Sequence, residues 1–147
     1  MKNKKRIDNN GFSLVELIIV IAIMAVLIGV LAPQYMRYVE RGRLASDNEN
    51  IKAIESALQV HFVDTMATNQ LKNGDTIVLH RGAPATAAGG TDAINEAIRN
   101  AGLVTSTETF ANLPQLTNTQ SFDTATITVR VDGNGNISVS TETSTNP

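Results

Sequence analysis

Glu16 is the residue whose setting most demands a chemical reason. It stands among Phe12, Leu14 and Val15, just ahead of sixteen uninterrupted apolar residues from Leu17 to Ala32. A carboxylate inside an apolar helix costs roughly 2.5–3.5 kcal/mol at the centre of a bilayer, and less near its surface. Glu16 therefore either lies close enough to an interface to reach water or has a partner that answers its charge. Other residues capable of chemistry are few. Cysteine is absent, so there can be no disulfide, thiolate metal site or thiol nucleophile. His61 and His80 are the only histidines, and neither has metal-ligand spacing or a Ser or carboxylate constellation beside it. His61 reads as a helix-face residue. Asp132, Asn134 and Asn136 resemble the start of an EF-hand loop, but Ile137 stands where glycine is needed and Thr143 where glutamate is needed. A turn fits that segment better than a calcium site. With no phosphate-binding glycine loop either, the expectation is a protein without catalysis and without a cofactor.

The elements that position Glu16 begin with the apolar run itself. From Phe12 to Ala32 it covers 21 residues with only Ser13 and Glu16 polar. As a helix it is about 31 Å long, close to the hydrocarbon thickness of a bilayer. The remaining chain is too polar to wrap such a helix on all sides, so a membrane segment is expected. An ordinary secretory signal fits poorly: a cut after Ala32 would put branched Val30 where a small residue is preferred and Pro33 directly after the scissile bond.

At the other end of the run, Gly11-Phe12-Ser13-Leu14-Val15-Glu16 follows a basic leader of Lys2, Lys4, Lys5 and Arg6. This junction resembles the processing motif of the type IV prepilins and related pseudopilins, over the leader and roughly the first third of the chain. The resemblance implies that a prepilin peptidase cuts between Gly11 and Phe12, removing residues 1–11, and that the same enzyme methylates the new amino group of Phe12. It also implies insertion in the cytoplasmic membrane as a single pass, extraction by an assembly platform with its ATPase, and homopolymerisation into a surface filament. In that family the glutamate at the Glu16 position serves assembly. The physical sense is that cleavage creates an amine four residues before Glu16, and an incoming subunit's amine can pair with a neighbour's carboxylate. The run Leu17–Ala32 holds twelve large aliphatic or Met side chains. Hiding them from water is worth roughly 18–36 kcal/mol, far above the cost of one carboxylate. Type II secretion or competence pseudopilins share the motif and are the near alternative; a membrane-anchored binding module that stays single is the alternative of a different class.

Gly29 and Pro33 mark a weak point. Pro33 lacks the N–H that would bond the carbonyl of Gly29, and glycine lowers helix preference at the same place. A kink tolerated in the membrane and local opening during assembly both account for the pair; proline near this position is usual in the resembled family. Beyond Pro33, Leu44, Ile51, Ile54, Leu58, Phe62 and Met66 recur at helical spacing, with Asp47, Glu49, Lys52, Glu55, Ser56 and Gln59 between them. One helix is expected from Phe12 to about Thr68, with an assembly segment over residues 12–33 and an amphipathic continuation over 34–68. Arg37, Arg41 and Arg43 are a solvated membrane flank or intersubunit partners for Glu40, Asp47 or Glu49.

Residues 69–147 are expected to form the globular part. Thr76–His80 reads as a strand, residues 82–90 as a loop, Asp92–Ala101 as a short helix closed by Gly102, and residues 110–116 as irregular. Alternation over Ala125–Val131 and Ile137–Thr141 around a five-residue Asp/Asn/Gly turn predicts a β-hairpin near 124–142. The expected fold class is α+β: a long N-terminal helix, its apolar half protruding, packed on a small C-terminal antiparallel sheet, as in pilins. Charge supports the division. Residues 1–43 hold seven basic against three acidic side chains, net +4, and residues 44–147 hold five against eleven, net −6. An acidic domain repels phosphate, so no nucleic-acid partner is expected.

Overall fold

The computed structural model describes residues 12–64, 69–119, 121–131 and 137–145. Contacts divide the chain into two compact units, Met1–Tyr38 and Val39–Pro147. Helix α1, Leu14–Val63, supplies all of the described structure of the first unit beyond Phe12 and Ser13, and the first element of the second.

In the first unit no large apolar side chain finds cover. From Leu17 to Leu31 the large aliphatic and Met side chains are 47–67% exposed. The helix is long and apolar enough to cross a membrane, with a mean hydropathy of 3.1 over its best window. Apolar residues on every side give it no preferred face, which is the pattern of a helix meant to be surrounded.

The second unit is built on the stripe read from the sequence. Ile51, Ile54 and Leu58 are buried on α1, and Leu44 and Phe62 pack at the edges of the same cluster. Opposite them lies a four-stranded antiparallel sheet in the order β2-β1-β3-β4, where β1 is Thr76–His80, β2 Thr86–Ala88, β3 Thr124–Val131 and β4 Ile137–Ser144. Alternation decides which side chains face the core: Ile77 and Leu79 from β1, Ala125, Ile127 and Val129 from β3, and more loosely Val139 from β4. The hairpin pairs Thr124 with Ser144 through to Val131 with Ile137. Its turn, residues 132–136, lies outside the described residues, and with it the calcium candidates Asp132, Asn134 and Asn136.

Helix α2, Thr91–Asn100, adds Ala93, Ile94, Ala97 and Ile98 to the core. Its C-terminus closes as the glycine predicts. Gly102, at φ +71°, donates to Arg99 O (2.9 Å) and Leu103 donates to Ile98 O (2.9 Å), the paired bonds of a Schellman motif. Its N-terminus depends on a second glycine pair. Gly89 and Gly90 have positive φ, and a Cβ on either would strike the carboxylate of Asp75, which is buried and accepts the Lys72 N–H at 2.7 Å.

Two local expectations change. Residues 82–90 are not wholly loop, because Thr86–Ala88 pairs with Val78–Thr76 as an edge strand; an Ala/Thr segment carries no alternation strong enough to announce a strand. Residues 110–116 are mostly irregular but contain a single 3-10 turn at Phe110–Asn112 and a parallel bridge from Leu116 to Arg81. Helix α1 closes at Val63, and Asp64 follows in non-helical backbone.

Candidate assembly site

Ser13 and Glu16 define where α1 begins. The Ser13 carbonyl accepts the first helical bond, from Leu17 N–H at 3.2 Å, and the Glu16 carboxylate turns back to accept the Ser13 N–H at 3.1 Å. This is one half of a capping box: the carboxylate satisfies an N–H at the helix start and favours the positive end of the helix dipole. Glu16 is exposed and Phe12 is 93% exposed, so both are open to another molecule. Gly11 lies outside the described residues. Gly29 and Pro33 sit within α1, which is helical through both, and nothing lies within 4 Å of the position a Gly29 Cβ would take.

The arginines and their candidate partners separate into used and unused groups. Arg43 lies 3.7 Å from Glu40, and Glu40 also accepts the Thr119 N–H. Asp47 is not an intersubunit partner held in reserve. It is only 1% exposed. It accepts the Thr117 N–H at 3.0 Å on each oxygen, the Thr117 hydroxyl at 2.9 Å, and the Asn118 N–H and side-chain amide at 2.8 Å each. Burial pushes against its charge, but the Asn118 side chain, the Asn118 and Thr117 N–H groups and the Thr117 hydroxyl outweigh burial, and the carboxyl sits below the ordinary aspartate value. Asn118 in turn accepts the N–H groups of Ser121 and Phe122, both at 3.1 Å. A segment remote in sequence is thereby clasped to α1. The spacing carried a signal for Asp47, since it lies three residues after Leu44 and four before Ile51, on the apolar stripe itself.

The histidines do not converge. The buried His61 has its Nε2 2.6 Å from the Asn69 carbonyl, and His80 Nε2 is 3.0 Å from the Thr86 hydroxyl. Among the described residues no group of three or more His, Cys, Asp or Glu could hold a metal ion.

Comparison with known proteins agrees with this arrangement. The family model described as the prokaryotic N-terminal methylation motif matches residues 6–32. The chain is similar to the prepilin peptidase-dependent protein A of Clostridium perfringens, 30% identical over 69 residues, 47% of this chain and 49% of that protein. It is also similar to the type II secretion system core protein G of Pseudomonas aeruginosa, 29% identical over 70 residues, 48% of this chain and 49% of that protein. The chain thus spans about half the length of the curated relatives it matches. No solved structure matches it. With the methylation motif at the start of an apolar helix, and that helix joined to a small antiparallel sheet, the chain belongs to the prepilin-like family of type IV pilins and type II secretion pseudopilins.

Proposed function

We propose that this chain is a structural subunit of a type IV pilus, processed between Gly11 and Phe12 and polymerised through α1. The observation that carries the reading is the uncovered apolar surface of residues 12–38, which the subunit itself leaves exposed. Twelve large side chains between Leu17 and Ala32 must be hidden from water, first by lipid and then by copies of the same helix. A filament with α1 at its centre satisfies that need outside the membrane. Glu16 supports the reading because its one hydrogen bond within the chain, from Ser13, leaves lone pairs for a neighbour's Phe12 amine. Gly29 and Pro33 supply the place where α1 opens as subunits extend.

Type II secretion pseudopilin is the second reading, favoured by the likeness to a type II secretion core protein. Both readings place the subunit in the cytoplasmic membrane before assembly, with the prepilin peptidase and an assembly platform as partners. The pilus reading takes it on to the cell surface for motility, adhesion or DNA uptake. Shearing cells without detergent, then imaging and immunolabelling the released material, tests the reading. Long labelled fibres support the pilus. Fibres seen only when the subunit is in excess favour the pseudopilin. Protein confined to the membrane fraction overturns the filament reading and leaves a single membrane-anchored module.

A further inference from the structure

We propose that Tyr38 of one subunit docks into the groove between α1 and α2 of another copy of this chain; the proposal rests on the filament reading above. The chain has four phenylalanines, two tyrosines and no tryptophan. Phe62, Phe110 and Phe122 are in the core or packed on it, whereas Tyr35 and Tyr38 are 67% and 76% exposed. Just beyond the apolar run, a tyrosine suits the lipid–water boundary while the subunit is in the membrane. Extraction removes that boundary, and an aromatic side chain that buries about 150–250 Å² then needs a protein surface.

The groove offers one. It measures about 350 Å³ and is walled by Ala53, Ala57 and Val60 of α1 and by Ala97, Ala101 and Leu103. Alanines on both helices leave depth for a ring, and Val60 is 71% exposed for want of cover. His61, Asp64 and Asn100 on the same wall offer partners for a phenolic hydroxyl.

Charge makes a second copy the fitting occupant. Arg37 and Arg41, one residue before and three after Tyr38, form no ion pair among the described residues. The groove is bordered by Asp64, and the exposed Glu49 lies one turn of α1 before Ala53. Two cations also stand on this side: Lys52, and Arg99, whose Nε is turned to the Glu108 carbonyl at 2.8 Å. A basic aromatic segment thus meets an apolar groove with an acidic margin, the anchor-and-rim pattern of a protein interface. Because the two surfaces differ, the contact is heterologous and propagates along a fibre instead of closing a dimer.

The absence of cysteine makes the test clean. Full-length chain carrying Tyr38→Cys and Ala101→Cys is assembled in cells, sheared, oxidised and run on a non-reducing gel. A ladder of covalent oligomers is expected, at least ten-fold above that from Tyr38→Cys with Thr143→Cys on β4. Equal ladders, or none from intact fibres, overturn the proposal. Ala101→Trp, which fills the groove from an exposed position, is the second arm. It is expected to lower fibre yield at least ten-fold without moving the thermal unfolding midpoint; wild-type yield overturns the proposal. Wild-type chain that forms no fibre overturns the filament reading, and this inference with it.

Discussion

Glu16 and Asp47 are both carboxylates on α1, each beside apolar residues, yet the two halves of the molecule treat them differently. Asp47 has four donor groups from Thr117 and Asn118 around it and is closed off from solvent. Glu16 has the Ser13 N–H and stays open. The apolar neighbours follow the same division. Ile54, Leu58, Ile77, Ile127 and Val129 are at most 1% exposed, while Leu17–Leu31 show half or more of nearly every side chain. The second unit therefore completes its own core and its own polar satisfaction. The first presents similar residue types unfinished, and that incompleteness is what makes it an assembly element.

The largest expected effect breaks the unfinished side. Glu16→Ala should leave cleavage at Gly11–Phe12 intact by gel mobility while fibre yield, counted by electron microscopy, falls at least ten-fold. Abundant fibres from this variant would mean that the carboxylate only caps its own helix, a role worth about 1 kcal/mol.

Asp47→Ala attacks the finished side. It leaves the buried N–H groups of Thr117 and Asn118 without an acceptor, at a cost of about 2–4 kcal/mol. For a domain of this size that lowers the thermal midpoint by roughly 10–25 °C, measured by circular dichroism on the detergent-solubilised chain. Processing should be unaffected, since the motif lies in the other unit.

The same group sets an acid dependence. Its folded value lies below the unfolded one, so its stabilisation is fully present above the unfolded value and is lost as pH falls through the folded value. Unfolding midpoints of the wild type should therefore drop as pH is lowered below about 4, and Asp47→Asn should show a flatter profile over that window. Parallel profiles would remove Asp47 as the source. The smallest effect expected is at Gly102→Ala, which forces a side chain into left-handed backbone at the end of α2 and should cost about 1 kcal/mol. A chemical denaturation midpoint resolves a shift of that size.

Much of this was legible along the chain. The apolar run, the junction at Gly11–Phe12, the stripe through Ile51, Ile54 and Leu58, the α2 stop at Gly102 and the alternation of β3 and β4 are local patterns. Periodicity and turn chemistry act over a few residues, so one strand of text is enough to read them. The edge strand Thr86–Ala88 was not legible, because three small residues show no alternation and form a strand only by pairing with β1. The position of Asp47 on the stripe could be read, but its partners could not. They lie about 70 residues away, and no local rule names which loop returns to a buried carboxylate.

Sequence alone determined that a carboxylate would stand at the head of an apolar helix, because composition and the processing motif are properties of consecutive residues. Tertiary structure decided which of the chain's carboxylates were already satisfied. Closure of residues 117–122 over α1 consumes Asp47, contact with Arg43 and Thr119 engages Glu40, and only Glu16 is left at the start of the helix with acceptor capacity for another subunit. That distinction depends on burial and on donors brought together from distant segments, which exist only once the chain has folded.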